Sequence, residues 1–172
     1  MKKVAILLEE MYNEHELWYP YWRIKEAGYE PWLVDTGRLQ SYRGENGHLE
    51  ARPDKSAREV TADQLAGLIV PGGFGPDYLR RNEEIIRLIR EVDKAGKPLG
   101  VICHAGWVLV TADILRSGRT LTSFKTLKAD LTNAGAKWVD QEVVADKNLI
   151  TCRQPQDLPA FMPVYLDHLG RA

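Results

Sequence analysis

The residues best suited to chemistry stand side by side near the middle of the chain, at Cys103 and His104. They follow an apolar run, Leu99-Gly100-Val101-Ile102, that reads as a buried strand, and a helix-like stretch over residues 107–115 comes directly after. A thiol at such a junction is exposed, and the free N–H groups of the helix point at it, which favours thiolate over thiol. A thiolate there is a nucleophile for an electrophilic carbon. The plainer assignment is an inert core cysteine at a strand end, but the junction and the adjacent imidazole favour the nucleophile. The second cysteine, Cys152, ends another apolar run beside Arg153. It reads as a buried free thiol by default, and as a redox partner of Cys103 if it faces the same cleft.

A reacting thiol needs a scaffold, and short apolar runs alternating with amphipathic segments supply one. Strands are predicted over residues 4–8, 31–35, 67–70, 99–102 and 149–151, with minor or edge strands at 120–123, 139 and 143–145. Helices are predicted over 16–27, closed by Gly28, and over 82–95, where Ile85, Ile86, Leu88, Ile89 and Val92 line one face and Gly96 ends it. Further helices are expected over 107–115, 126–134 and 157–169, a short turn or helix over 61–65, and an exposed hairpin around Asn46-Gly47 over 41–52. Strand–helix alternation of this kind implies parallel pairing with helices on both faces, so a single three-layer α/β domain over residues 1–172 is the expectation. Ligands in such sheets bind at the C-terminal ends of the strands, near a topological switch point. That rule selects the segments after Leu8 (Glu9 to Glu16), after Val70 (Gly72-Gly73) and after Ile102.

Composition narrows the function classes. The chain has 172 residues, 44% hydrophobic and 27% charged, which suits one ordinary globular core. A net charge of −1 gives no reason to expect nucleic acid or an anionic membrane as partner. The apolar start is cut off by Glu9-Glu10, too early for a signal peptide or a span, and two cysteines without a secretion signal suggest a cytoplasmic setting. His15, His48, His104 and His168 are scattered, so no metal site is expected. No Gly-x-Gly-x-x-Gly follows the first strand, so a nucleotide-binding flavodoxin-like module is a weak alternative and no cofactor is expected.

An ordered set of motifs across nearly the whole chain resembles the ThiJ/PfpI family, close to its intracellular protease branch. The set comprises Glu16-Leu17-Trp18-Tyr19-Pro20-Tyr21, Val70-Pro71-Gly72-Gly73 with Gly75-Pro76-Asp77, Val101-Ile102-Cys103-His104-Ala105, Asn133-Ala134-Gly135-Ala136 and Asp157-Leu158-Pro159-Ala160-Phe161. The resemblance implies a flavodoxin-like three-layer sandwich of the class I glutamine amidotransferase kind, with Cys103 as nucleophile and His104 as its neighbour. It makes Glu16 the acid near the thiol, with Glu14, Glu9 and Glu10 as nearby rivals. A carboxyl pressed against sulfur stays protonated and donates to it, which stabilises Cys103 as thiolate and readies a proton donor. The resemblance also implies an oxyanion site of backbone N–H groups at Gly73 and His104, and Gly72-Gly73 allows close approach to a ligand. Asp77 stands where the branch carries an acid that meets the histidine of a neighbouring subunit, so a homo-oligomer is implied. Gly106-Trp107 departs from the pattern of many relatives, and Trp107 is expected either to narrow the pocket or to pack in the core.

These features predict a cysteine-dependent enzyme acting on small carbonyl or peptide substrates, as peptidase, deglycase or glyoxalase. The alternative is a protective or redox-sensing protein that works by reversible oxidation of Cys103.

Overall fold

The structure, a computed structural model, describes residues 1–171. Its centre is a seven-stranded sheet made of β1 (Lys3–Leu8), β2 (Glu30–Asp35), β5 (Lys55–Ser56), β6 (Leu65–Val70), β7 (Leu99–Ile102), β10 (Val143–Asp146) and β11 (Leu149–Cys152). The strands lie in the order β10-β11-β7-β6-β1-β2-β5, and every pairing is parallel except the antiparallel edge pair β10–β11. This is the mostly parallel α/β fold expected from the alternation of elements. The hairpin over 41–52 is present as β3 (Tyr42–Arg43) and β4 (Glu50–Ala51), paired antiparallel.

Alternation along the strands divides the core into two layers. Ala5 and Leu7 face one side, with α3 (Glu83–Lys94), α4 (Gly106–Ala112) and α5 (Lys128–Asn133). Val4, Ile6 and Leu8 face the other, with α1 (Glu14–Glu26) and α6 (Leu158–Arg171). In α3 the Asn82 side chain caps the first turn, accepting from the N–H groups of Glu84 and Ile85, and all five predicted apolar residues are buried. Both faces of β1, β6 and β7 are covered, which is why these strands read as continuous apolar runs.

Several boundaries differ from the pattern in the sequence, each for a local reason. Helix α1 starts at Glu14 because Asn13 caps it, accepting from the N–H groups of His15 and Glu16. Helix α4 ends at Ala112, where Asp113 turns left-handed with φ 57°. The helix expected over 126–134 divides into a 3-10 turn, Lys125–Leu127, and α5. The strand expected at Val139 forms instead as β9 (Lys137–Trp138), parallel to β8 (Thr120–Leu121) and apart from the main sheet. The two-residue strand β5 and the helix α2 (Gly75–Leu79) are too short for periodicity to reveal. No helix among the described residues is long and apolar enough to cross a membrane.

The chain begins in the middle of the sheet, winds to β2 on one side and returns to β6 on the other. The switch point thus lies between β1 and β6, and the loops after β1, β6 and β7 open on to one end of it.

Candidate active site

Strand β7 delivers Cys103 into the first position of a 3-10 turn, Cys103–Ala105, that runs on into α4. To turn that sharply the backbone at Cys103 takes φ 57°, a left-handed conformation that is strained for a residue with a side chain. The bend lifts the sulfur out of the alternation of the strand and toward the helix N–H groups. The backbone N–H groups of His104 and Gly73 favour its ionised form.

Glu16, in the first turn of α1, is fully buried. Its Oε2 accepts from the N–H of Gly72 at 2.6 Å, which fixes the carboxyl beside the thiol. Oε1 is buried with no hydrogen-bond partner, and the side chain of Cys103 acts on the carboxyl group. Burial pushes the Glu16 carboxyl up to about 8, outweighing the opposing hydrogen bonds from Gly72 and Cys103. A buried acid with one satisfied oxygen and a pKa near 8 is a proton donor at neutral pH.

The junction and a protonated Glu16 predict an easily ionised thiol, and burial acts against that direction. Cys103 is only 8% exposed, so burial raises its pKa, an ionised Glu16 would raise it further, and the two backbone N–H groups act in the opposite direction. Helix α4 is seven residues long and begins after the 3-10 turn, so its dipole is weak. Burial thus favours the protonated form of both the carboxyl and the thiol. The His104 ring is within reach of the thiol: its Nδ1 lies 3.3 Å from Sγ of Cys103. Burial lowers the His104 pKa, so the ring is neutral at pH 7 and able to accept. Phe124 stacks on it at 4.7 Å, and the backbone N–H of Phe124 donates to the Cys103 carbonyl at 3.2 Å.

The sulfur opens on to a cavity of about 510 Å³. Asn13, Glu45, Gly73 and Gln154 contribute polar groups to its wall, and Phe74, Trp107 and Phe124 contribute rings. Trp107 lines the cavity, 5.3 Å from the His104 ring and 6.3 Å from that of Phe74. The N–H of Gly72 is committed to Glu16, while those of Gly73 and His104 act on the sulfur. Asp77 pairs with Arg81, in the turn just after its helix, and is not part of the cavity wall. Cys152 lies at 0% exposure in the core, in register with Ile102, and does not line the cleft. The rivals of Glu16 have other partners: Glu14 accepts from Asn46, and Glu9 from Arg38 and Thr36. Sequence reasoning missed Asn13, Glu45 and Phe124. The Asn13 cap was detectable three residues before Glu16, but no local signal carries the hairpin or Phe124 to Cys103.

A left-handed cysteine after a central strand, a buried glutamate beside it and a facing glycine loop form a constellation that can be compared with known proteins. Residues 2–168 match the model of the DJ-1/PfpI family. The chain belongs to the DJ-1/PfpI family. Among DJ-1/PfpI relatives, Protein/nucleic acid deglycase 2 of Escherichia coli is 39% identical over 170 residues, covering 98% of either chain. Deglycase PfpI of Pyrococcus furiosus is 36% identical over 160 residues, covering 93% of this chain and 95% of the relative. A crystal structure of a two-domain Anabaena variabilis protein, with DJ-1/ThiJ/PfpI-like and ferritin-like domains, superposes with a TM-score of 0.96 at 36% identity. The match covers 99% of this chain and 48% of that one, so this chain corresponds to about half of the two-domain protein. The DJ-1/PfpI sheet order and the elbow at Cys103 are thus set within a known architecture.

Proposed function

We propose that this chain is a cysteine-dependent enzyme that attacks small electrophilic carbonyl or amide carbons through Cys103, with deglycase or glyoxalase chemistry favoured over proteolysis. The observation that carries the reading is Glu16. A fully buried carboxyl whose pKa is raised to about 8 beside a strained cysteine is costly to maintain and useful as a proton donor. The choice of small substrates rests on the cavity, whose 510 Å³ and ring-lined wall suit a small adduct better than a folded polypeptide. The deglycase names of the two relatives point the same way.

In the proposed reaction the Cys103 proton passes to Nδ1 of His104 as the sulfur lone pair forms the S–C bond. The carbonyl π pair moves on to oxygen, which the N–H groups of Gly73 and His104 receive. Glu16 then delivers its proton to the alkoxide or to the departing amine. Asp77 has no place in these steps within one chain. We assign it to a subunit contact at which it approaches His104 of a second copy, and a specific activity that rises with protein concentration is the sign of that contact.

The test compares methylglyoxal consumption and amine release from its adducts with hydrolysis of a peptide amide, in wild type and Cys103→Ala. Dicarbonyl or adduct turnover that falls by about two orders of magnitude or more in the variant supports the proposal. Equal rates in the two proteins overturn it.

A further inference from the structure

The β3–β4 hairpin carries a charge to the cavity that the proposed chemistry does not use. Glu45, in the turn of that hairpin, stands at the rim of the space into which Cys103 and His104 open. Its place is built from several directions. The Glu45 N–H donates to the Tyr12 carbonyl at 2.9 Å, and its Oε1 accepts from Nδ2 of Asn13 at 2.6 Å. Asn46 donates twice to the Glu14 carboxylate, from its N–H at 3.0 Å and from Nδ2 at 2.8 Å, clasping the turn to the start of α1. The other oxygen of Glu45, Oε2, lies 3.0 Å from where a Cβ on Gly73 would stand, so the carboxylate hangs over the loop that faces the sulfur.

The rest of the wall leaves this charge unopposed. Among the described residues, no lysine or arginine lines the cavity. His104 is neutral at pH 7, and Glu16 is largely protonated there. The remaining large groups are aromatic rings, whose faces favour cations over anions. We propose that Glu45 is a specificity-determining residue, selecting electrophiles that carry a positive charge near the reacting carbon over neutral or anionic ones of the same size. An amine-borne carbonyl adduct has that chemistry, and a free carboxylate-bearing aldehyde lacks it. The inference rests on Cys103 as the reacting atom. It does not rest on which carbonyl reaction follows.

Three small thiol reagents read the charge at Cys103 without turnover: trimethylammonioethyl, propyl and sulfonatoethyl methanethiosulfonate. Each transfers its alkylthio group to the Cys103 sulfur and releases methanesulfinate, and Cys152 is sealed in the core. The rates are followed by intact mass in wild type, Glu45→Gln and Glu45→Lys. The amide introduced by Glu45→Gln retains an oxygen to accept from Asn13, which keeps the hairpin seated. The ratio of cationic to anionic rate is expected to fall about fivefold or more in Glu45→Gln and further in Glu45→Lys, while the neutral reagent changes by less than about twofold. Raising the ionic strength shrinks the wild-type ratio. An unchanged ratio in Glu45→Gln overturns the inference, and so does a Cys103 that none of the reagents modifies. A charge-dependent ratio without carbonyl turnover would remove the proposed reaction and leave the role of Glu45 standing. Turnover with a flat ratio would do the reverse.

Discussion

Glu16 and Cys103 meet across a gap that only a glycine leaves open. A Cβ on Gly72 would lie 2.5 Å from Oε2 of Glu16 and 2.8 Å from Cβ of Cys103. The acid from the first helix and the thiol from the central strand are therefore neighbours only because the loop after β6 has no side chain there. The same glycine holds the acid in place through its N–H.

Gly72→Ala tests that spacing. The added methyl must displace the carboxyl, the elbow or the Ile102 carbonyl, which it would approach to 2.8 Å. Overpacking of this kind lowers stability by about 1–3 kcal/mol, and Cys103-dependent turnover is expected to fall about a hundredfold, as the acid is moved off the sulfur. Urea unfolding and the turnover assay measure the two effects. Near-wild-type turnover in the variant would show that the contact between the two side chains is dispensable.

The raised pKa of Glu16 makes stability depend on pH with a definite sign. The folded carboxyl titrates near 8 and the unfolded one near its ordinary 4.5, so the folded state holds the extra proton between those values. Its contribution is fully present below about pH 4.5, is lost as pH rises toward 8, and is flat beyond. The whole change is on the order of 4–5 kcal/mol for a fully buried group. Denaturant unfolding of Glu16→Gln at about pH 5, 7 and 9 checks it. The variant is expected to gain on wild type as pH rises across that window, and a constant difference would refute the assignment.

The same substitution divides catalysis from oxidation. A glutamine at position 16 can still donate a hydrogen bond to sulfur but cannot transfer a proton. Turnover is expected to drop by a factor of about 10²–10⁴, while the rate of Cys103 oxidation by peroxide stays within about fivefold of wild type. Turnover assays and mass spectrometry of the oxidised thiol give the comparison. Equal losses of both would count against a proton-donor role.

Away from the site, Arg119 is the polar hub that ties β8 to the turn before β11. It is 7% exposed and donates to Oδ1 of Asp93 at 2.5 Å, to the Asp146 carbonyl at 3.0 Å and to Oδ1 of Asn148 at 2.6 Å. Arg119→Ala leaves those acceptors short of a donor and is expected to cost about 3 kcal/mol, with Cys103 reactivity unchanged at temperatures where the variant is folded. Thermal unfolding and thiol modification separate these outcomes.

Much of this architecture was legible in local pattern. The apolar runs at 4–8, 67–70 and 99–102 are strands because residues with two buried faces have no polar alternation, and Ile85 to Val92 mark a helix by their spacing. The elbow at Cys103 was readable for the same reason, as the place where one period stops and another begins. The short elements α2 and β5 escaped, since five and two residues do not complete a period.

What the sequence determined by itself is the order of the elements and the positions at which side chains with reactive chemistry leave the strands. Tertiary structure alone decided how deeply Glu16 and Cys103 are buried, that Asp77 turns to Arg81, and that Glu45 reaches the cavity. The reason is physical. Periodicity and capping act over one or two turns of chain, whereas desolvation and the approach of charges depend on which distant segments the packed sheet and its loops bring together.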